Sequence, residues 1–115
     1  MANEQHLKII KKGVDVWNKW RKENPDIEPD LSRANLTEAD LSGIELSYAD
    51  LSAADLNGSD LSSANLAYAK LSRVHLAYSN LPKANLSGTG FSQAILLQSN
   101  LSGANLSDAF LLSAP

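Results

Sequence analysis

The chain has 115 residues, of which 43% are hydrophobic and 20% are charged, a balance typical of a globular protein rather than a disordered one. Its net charge of −3 lacks the basic excess of nucleic-acid-binding proteins. The absence of cysteine excludes disulfides and thiolate metal sites. No apolar run approaches the roughly 20 residues that a membrane span needs, and no signal-peptide pattern follows Met1. We therefore expect a cytoplasmic protein that binds neither membrane nor nucleic acid directly.

The first unit, residues 1–28, is predicted to hold one helix and an extended linker. Between Asn3 and Glu23, apolar residues at helical spacing would cover about half of the helix circumference. One stripe contains Leu7, Ile10, Val14 and Trp17, and a second contains Ile9, Val16 and Trp20. Gly13 weakens such a helix by about 1 kcal/mol relative to alanine, and Pro25 ends it. The spacing predicts a single helix over residues 3–23.

The second unit, residues 29–115, repeats every five residues. Leucine, or phenylalanine in one case, occupies every fifth position from Leu31 to Leu111, which makes seventeen consecutive units without an insertion. We call this residue the centre position. It follows a small position and a polar position, and two corner positions come after it. Neither a helix nor a strand has a period of five, so the pattern predicts a structural repeat.

The corner positions have the composition of a turn. Four of the six glycines lie in the second corner position, where a type II turn needs a positive φ. Because most units lack glycine there, we expect a mixture of turn types. Burying one leucine yields about 2 kcal/mol, whereas ordering five residues costs about 5–10 kcal/mol. The units must therefore stack into a solenoid.

These units resemble those of the pentapeptide-repeat proteins. The family pattern A-(D/N)-L-x-x is matched by residues 34–36, 39–41 and 64–66, and the resemblance covers about residues 29–113. It implies an all-β solenoid: a right-handed quadrilateral parallel β-helix with four units per coil and the centre and small positions inside. Seventeen units would then make about four coils, a rod about 20 Å long.

The open end of such a solenoid needs covering, and this gives the helix an interpretation. A basic amphipathic helix can instead lie on a membrane or enter a partner's groove. However, six acidic residues balance six basic ones over residues 1–30, which argues against a membrane helix. We interpret the segment as an N-terminal α-helical cap whose packing residues are Leu7, Ile10, Val14, Trp17 and Trp20.

The last coil departs most from the pattern, because four outward positions become apolar: Ile95, Leu97, Phe110 and Leu112. An uncovered apolar surface of this kind marks an interface. A two-fold, end-to-end contact is the simplest solution, so we expect a homodimer. The alternative is that the final residues fold back over the end.

Two outer ridges are further candidates for partner binding. In a four-unit coil, Tyr48 and Tyr68 would stack on one ridge, and Asp40 and Asp60 on another within an acidic band. Stacked tyrosines can anchor a partner or simply cover the corner backbone. Some pentapeptide-repeat proteins resemble duplex DNA and bind type II topoisomerases, which makes DNA mimicry an alternative function. The other interpretation is an ordinary solvated surface.

Nothing in the sequence indicates catalysis, a metal site or a cofactor. His6 is expected in the frayed first turn of the helix. His75 would lie directly above Asp55, and serines are abundant, so the residue types of a Ser-His-Asp catalytic set are present. A side whose interior is filled by leucine and alanine is expected to have no pocket. We therefore predict a non-enzymatic structural or protein-interaction module.

Overall fold

The computed structural model describes residues 1–110. Two helices, α1 (Glu4–Ile10) and α2 (Val14–Glu23), precede the repeats. Among these residues, no helix is long and apolar enough to cross a membrane. Leu111 and Leu112, which the repeat pattern includes, lie outside the described residues.

The single helix predicted over residues 3–23 is wrong, because Gly13 separates α1 from α2. Its φ of 111° lies in a region that residues with a Cβ rarely adopt. The Asn3 side chain begins α1 by accepting hydrogen bonds from the backbone N–H groups of Gln5 and His6. A straight helix of this length would extend about 31 Å, whereas the two shorter dimensions of the molecule are 27 and 25 Å. The break divides the segment into two short helices that contact each other.

The repeats form a stack with a register of twenty residues. Each polar-position residue forms a parallel bridge with the residue twenty positions later, from Asp30 with Asp50 to Gly90 with Phe110. Twenty residues are four units, so each coil has four sides. We call residues 30–49 the first coil and residues 90–109 the last described coil.

Three backbone hydrogen bonds per unit join neighbouring coils. On one side of the stack, Leu36 N donates to Asp55 O at 2.8 Å and Glu38 N donates to Asn57 O at 2.9 Å. In the opposite direction, Asp55 N donates to Ala34 O at 2.9 Å. The same three bonds recur from unit to unit, so each coil supplies the backbone partners of the next one.

All sixteen corners between residues 31 and 110 have a positive φ at the second corner position. Twelve of these residues are not glycine, and their φ values lie between 53° and 62°. The expected mixture of turn types is therefore wrong. Up to Gly88 the stack gives a physical reason, because the N–H at this position donates to the next coil, as Arg33 N does to Ser52 O. The four corners of the last described coil keep the same positive φ without that bond, and each is closed by a bond such as that from Ala94 N to Phe91 O.

The interior is filled by the centre and small positions. From Leu31 to Phe91, every centre residue is at most 5% exposed. Three small positions hold buried hydroxyls, in Ser59, Ser79 and Thr89, and each hydroxyl donates to the carbonyl three residues earlier. The polar groups inside are thus paired within their own corners, which removes the cost of burying them.

Candidate protein-interaction surfaces

Helix α2 contacts the first coil through polar side chains as well as apolar ones. Trp17 is fully buried, and its Nε1 donates to Glu45 O at 2.7 Å. Arg21 donates to the carbonyls of Glu45 and Ser47, each at 2.9 Å. Asn18 Oδ1 accepts from Glu45 N at 2.8 Å. One face of α2 therefore pairs the backbone of one side of the first coil.

Helix α1 does the same on a second side. Asn3 N donates to Asp30 O at 2.9 Å, and Asp30 N donates to His6 Nδ1 at 3.0 Å. The His6 ring is buried and packs against Trp20, with 5.0 Å between the ring centroids. Burial lowers the pKa of His6, while the Asp30 carboxylate acts in the opposite direction. The expectation of His6 in a frayed turn is wrong, because its ring is a buried hydrogen-bond acceptor.

These contacts replace those of a preceding coil. Elsewhere in the stack, the N–H of a polar-position residue donates to the coil before it, as Asp50 N does to Pro29 O at 2.8 Å. For Asp30 and Glu45, which belong to the first coil, side chains of α1 and α2 accept these bonds instead. The helices therefore extend the hydrogen bonding of the stack without extending its repeat.

The predicted packing residues of the helical segment differ in depth. Ile10 and Trp17 are 3% and 0% exposed and belong to the main core. Leu7, Val14 and Trp20 are partly buried against that core. A cavity of about 690 Å³ lies where α2 meets the first coil, and polar residues line most of it. Arg21 Nε, buried beside the coil, has no hydrogen-bond partner among the described residues.

The outward apolar residues of the last coil are exposed. Ile95 is 39% exposed, Leu97 is 59% exposed, and Phe110, directly after this coil, is 68% exposed. Leu112, the fourth residue predicted for this surface, lies outside the described residues. The inner residues also lose cover here, because Leu106 is 37% exposed at a centre position.

The two tyrosines of the predicted ridge do stack. The Tyr48 and Tyr68 ring centroids are 5.3 Å apart with an interplanar angle of 12°, and both side chains are more than half exposed. Gly88 continues the same column, and a Cβ there would lie 2.5 Å from the Tyr68 ring. Tyr68 therefore covers the backbone of the Gly88 corner. This contact explains the stacking of the two tyrosine rings without a bound partner protein.

The acidic ridge has a structural role in its turns. Asp40 and Asp60 form a parallel bridge, and each carboxylate accepts a hydrogen bond from a backbone N–H two residues later. The Ser62 hydrogen bonds lower the pKa of Asp60. Asn35 and Asn65 make the same turn contact with an amide oxygen. Since asparagine serves equally well, this contact depends on an acceptor atom and not on a negative charge.

The structure does not link Asp55 and His75 as a catalytic pair. Asp55 and His75 are bridged neighbours in the stack, but no hydrogen bond links their side chains within residues 1–110. Asp55 Oδ1 accepts from Asn57 N at 3.1 Å instead. The described part of the chain also contains no group of three or more His, Asp or Glu residues able to hold a metal ion.

The comparisons with known proteins agree with this architecture. The family model for pentapeptide repeats matches residues 30–66, 44–74 and 69–108, with eight copies. The chain therefore belongs to the pentapeptide repeat family, which confirms the resemblance seen in the sequence. The fold is that of the family, a right-handed quadrilateral β-helix. No curated protein matches the sequence closely enough to count as a relative.

Several solved structures are similar. HetL, a pentapeptide repeat protein involved in heterocyst differentiation regulation from the cyanobacterium Nostoc sp. strain PCC 7120, is 35% identical with a TM-score of 0.63; the match covers 75% of this chain and 46% of HetL. A second Nostoc PCC 7120 pentapeptide repeat protein, alr5209, is 41% identical with a TM-score of 0.53, over 70% of this chain and 62% of that one. The matches thus span less than two thirds of either relative.

The plasmid-mediated fluoroquinolone resistance protein QnrB1 is also similar, at 20% identity and a TM-score of 0.31, over 70% of this chain and 59% of QnrB1. This similarity is too low to indicate a shared function.

Proposed function

We propose that this protein is a non-enzymatic, cytoplasmic protein-interaction module that self-associates through its last coil. In this proposal, a rod of about four coils is closed at the first coil by α1 and α2 acting as a cap. The observation that carries the proposal is the exposure of Ile95, Leu97 and Phe110 at outward positions. Large apolar side chains grouped on a surface are typical of an interface.

The position of these residues in the stack supports the proposal. The bridges place Ile95 in line with Asn35, Asp55 and His75, which are all polar. The change to an apolar residue therefore occurs only where the column reaches the last described coil. Because Ile95 and Leu97 occupy outward positions, a further coil stacked on this one would leave them on the lateral surface.

The contacts of the first coil with α1 and α2 favour a self-association that stops at a dimer. A head-to-tail contact would pair the last coil of one copy with the first coil of the next and would continue without limit. In this protein, the first coil already bonds to α1 through Asp30 and to α2 through Glu45. A two-fold contact between two last coils avoids that surface and ends with a dimer.

The experiment that tests this proposal is size-exclusion chromatography with light scattering. We expect a wild-type mass of twice the 12.4 kDa chain, and a folded monomer for the double variant Leu97→Asp/Phe110→Asp. The matched control is Gln93→Asp/Gln98→Asp, which adds the same charges at two exposed corners of the same coil and should remain a dimer. A monomeric wild type, or a dimer in both variants, would contradict the proposal.

DNA mimicry is the second candidate that the sequence raises, and no specific observation favours it. The acidic residues of the first coils accept hydrogen bonds in their own turns. In the later coils, Lys70, Arg73 and Lys83 interrupt the acidic surface. A gyrase supercoiling assay tests DNA mimicry: inhibition at micromolar protein would support it, and the absence of inhibition would exclude it.

A further inference from the structure

In one segment of the first coil, the backbone groups that face away from the second coil have no hydrogen-bond partner among residues 1–110. In each later coil, the polar-position N–H and C=O and the first-corner C=O bond to the coil before. On the first coil, α1 and α2 complete these groups only near Asp30, Glu45 and Ser47. The groups left over are the N–H and C=O of Asn35 and Asp40 and the C=O of Ser32, Thr37 and Ser42, and all of them except the Ser32 carbonyl lie within residues 35–42. We call residues 35–42 the open edge.

The open edge is accessible, although the interior behind it is closed. Asn35, Thr37 and Asp40 are exposed residues. By contrast, Leu36 and Leu41, which alternate with them, are 5% and 3% exposed. A partner at this place therefore has no apolar interior to fill. It would meet a row of backbone donors and acceptors, as at the edge of a β-sheet.

The protein's own second coil shows which partner geometry fits. In the second coil, Asp55 pairs with the backbone on either side of Asn35: its N–H donates to Ala34 O, and its C=O accepts from Leu36 N. The N–H and C=O of Asn35 itself point away from the second coil, and they could form the same pair of bonds with a strand on the opposite edge. An extended segment parallel to residues 34–37 would supply a carbonyl and N–H groups in the matching places.

Charge indicates the composition of that segment. Glu38 and Asp40 are exposed on the open edge, and Asp55 and Asp60 are the bridged neighbours behind it. Arg33 is the only basic residue between positions 31 and 60. An extended segment with lysine or arginine side chains is therefore favoured over an acidic one.

We propose that the open edge is a docking site for an extended, basic segment of another protein, which adds to the first coil as a parallel strand. This inference rests on the proposed role in protein binding but not on the dimer. A second copy of the β-helix is not the occupant, because a whole coil stacked here would need the space that α1 and α2 occupy over the first coil. A single extended segment needs only the rim.

The first test is an NMR titration of the ¹⁵N-labelled full chain with an acetylated and amidated hexapeptide of alternating lysine and valine. We expect saturable shifts centred on the amides of Asn35 and Asp40. A hexapeptide of alternating glutamate and valine is the control and should bind at least tenfold more weakly. No shift at millimolar peptide would overturn the docking site, and equal binding of both peptides would overturn the basic partner. Shifts at these amides on concentrating the protein alone would instead assign the edge to a second copy.

A pair of variants separates the backbone contact from the side-chain contact. Asn35→Pro removes the N–H and Asn35→Ala keeps it, while both remove the amide side chain. Because Asn35 N has no partner within the described chain, both variants should fold with similar melting temperatures. Asn35→Pro should bind the lysine peptide about five- to tenfold more weakly than Asn35→Ala, the size expected for one lost hydrogen bond. Equal affinity would contradict the proposal.

A modified peptide keeps the test independent of variant folding. A lysine–valine hexapeptide N-methylated at every backbone nitrogen has no backbone donors on either edge but keeps its charge. It should lose the shifts at Asn35 and Asp40 in the wild-type protein. Retained binding would mean that charge alone attracts the peptide, which would overturn strand addition. The light-scattering result for the last coil leaves these readouts unaffected, so each proposal can fail separately.

Discussion

The two ends of the described stack differ in how the repeat is completed. At the first coil, side chains of α1 and α2 bond to the backbone of Asp30 and Glu45, and the centre residues there are at most 5% exposed. At the last described coil, a centre residue such as Leu106 is 37% exposed. The same five-residue unit is therefore buried or exposed according to its neighbour. This dependence is the defining property of a solenoid.

The largest expected effect comes from placing a charge in the middle of the stack. Leu66 is 1% exposed, so Leu66→Asp would bury an unpaired carboxylate and should abolish cooperative folding. Leu106→Asp makes the same change at the exposed end and should cost less than half as much. Thermal unfolding followed by circular dichroism distinguishes the two variants: no cooperative transition is expected for Leu66→Asp, and a lowered melting temperature is expected for Leu106→Asp. Equal losses would mean that the two regions do not differ as described.

Removing the buried indole tests the other end. Trp17→Ala should destabilise the protein by about 3–5 kcal/mol, because it removes a fully buried side chain. Trp17→Phe is the matched control: it keeps most of the apolar contact and loses the bond to Glu45 O, worth about 1 kcal/mol. Urea unfolding measures both changes. A loss below 1 kcal/mol for Trp17→Ala would show that α2 is only loosely attached.

Glycine substitutions compare two corners with the same backbone. Gly88 and Gly103 have φ values of 68° and 69°, so alanine introduces similar strain of about 1 kcal/mol at each. At Gly88 the new Cβ would also lie 2.5 Å from the Tyr68 ring, whereas at Gly103 its nearest contact is an ordinary 3.5 Å. We expect Gly88→Ala to lower the melting temperature more than Gly103→Ala. The reverse order would show that Tyr68 moves aside without cost.

The smallest expected effect is a pH dependence of the contact between α1 and the first coil. The folded-state pKa of His6 is lowered by burial, so the unfolded chain takes up the proton more readily. This contribution to stability is complete above the ordinary histidine pKa of about 6.5 and is lost as pH falls below that value. The Asp30 carboxylate, whose pKa is lowered by its bonds with Ser32, loses its contribution only below about pH 4. Melting temperatures between pH 7.5 and 5.5 therefore isolate His6.

A His6→Gln variant is the control for this titration. Glutamine does not titrate, so the decrease in melting temperature between pH 7.5 and 5.5 should become shallower. An unchanged slope would mean that another group causes the pH dependence.

The sequence predicts the repeat well because each unit carries its own signal. Leucine at the centre position and a small residue two places earlier are local features, and they are buried from Leu31 to Phe91. The uniform corner was not predictable from glycine content, because bonds to the next coil impose a positive φ even on Tyr48 and Lys83. The twenty-residue register came only from the family resemblance, since a period of five fixes the unit and not the number of sides.

The contacts of the helices with the first coil were harder to predict. They join residues 24 to 28 positions apart, such as His6 with Asp30 and Trp17 with Glu45, and nothing in a helical period sets that alignment. One signal was present: Asn18 and Arg21 adjoin the apolar stripe around Trp17 at helical spacing. Because every amphipathic helix has polar side chains beside its buried stripe, this spacing places Asn18 and Arg21 near the coil but does not identify the backbone groups that they bind.

Amide hydrogen exchange of the 115-residue chain, followed by NMR, is the sharpest test of whether α1 and α2 take the place of a preceding coil. Four amides at equivalent polar positions of the first coil are compared: Asp30 and Glu45, which donate to α1 and α2, and Asn35 and Asp40, which do not. We predict slow exchange for the first pair and fast exchange for the second. Similar rates for all four amides would contradict the account, because the helices would then not take the place of a preceding coil.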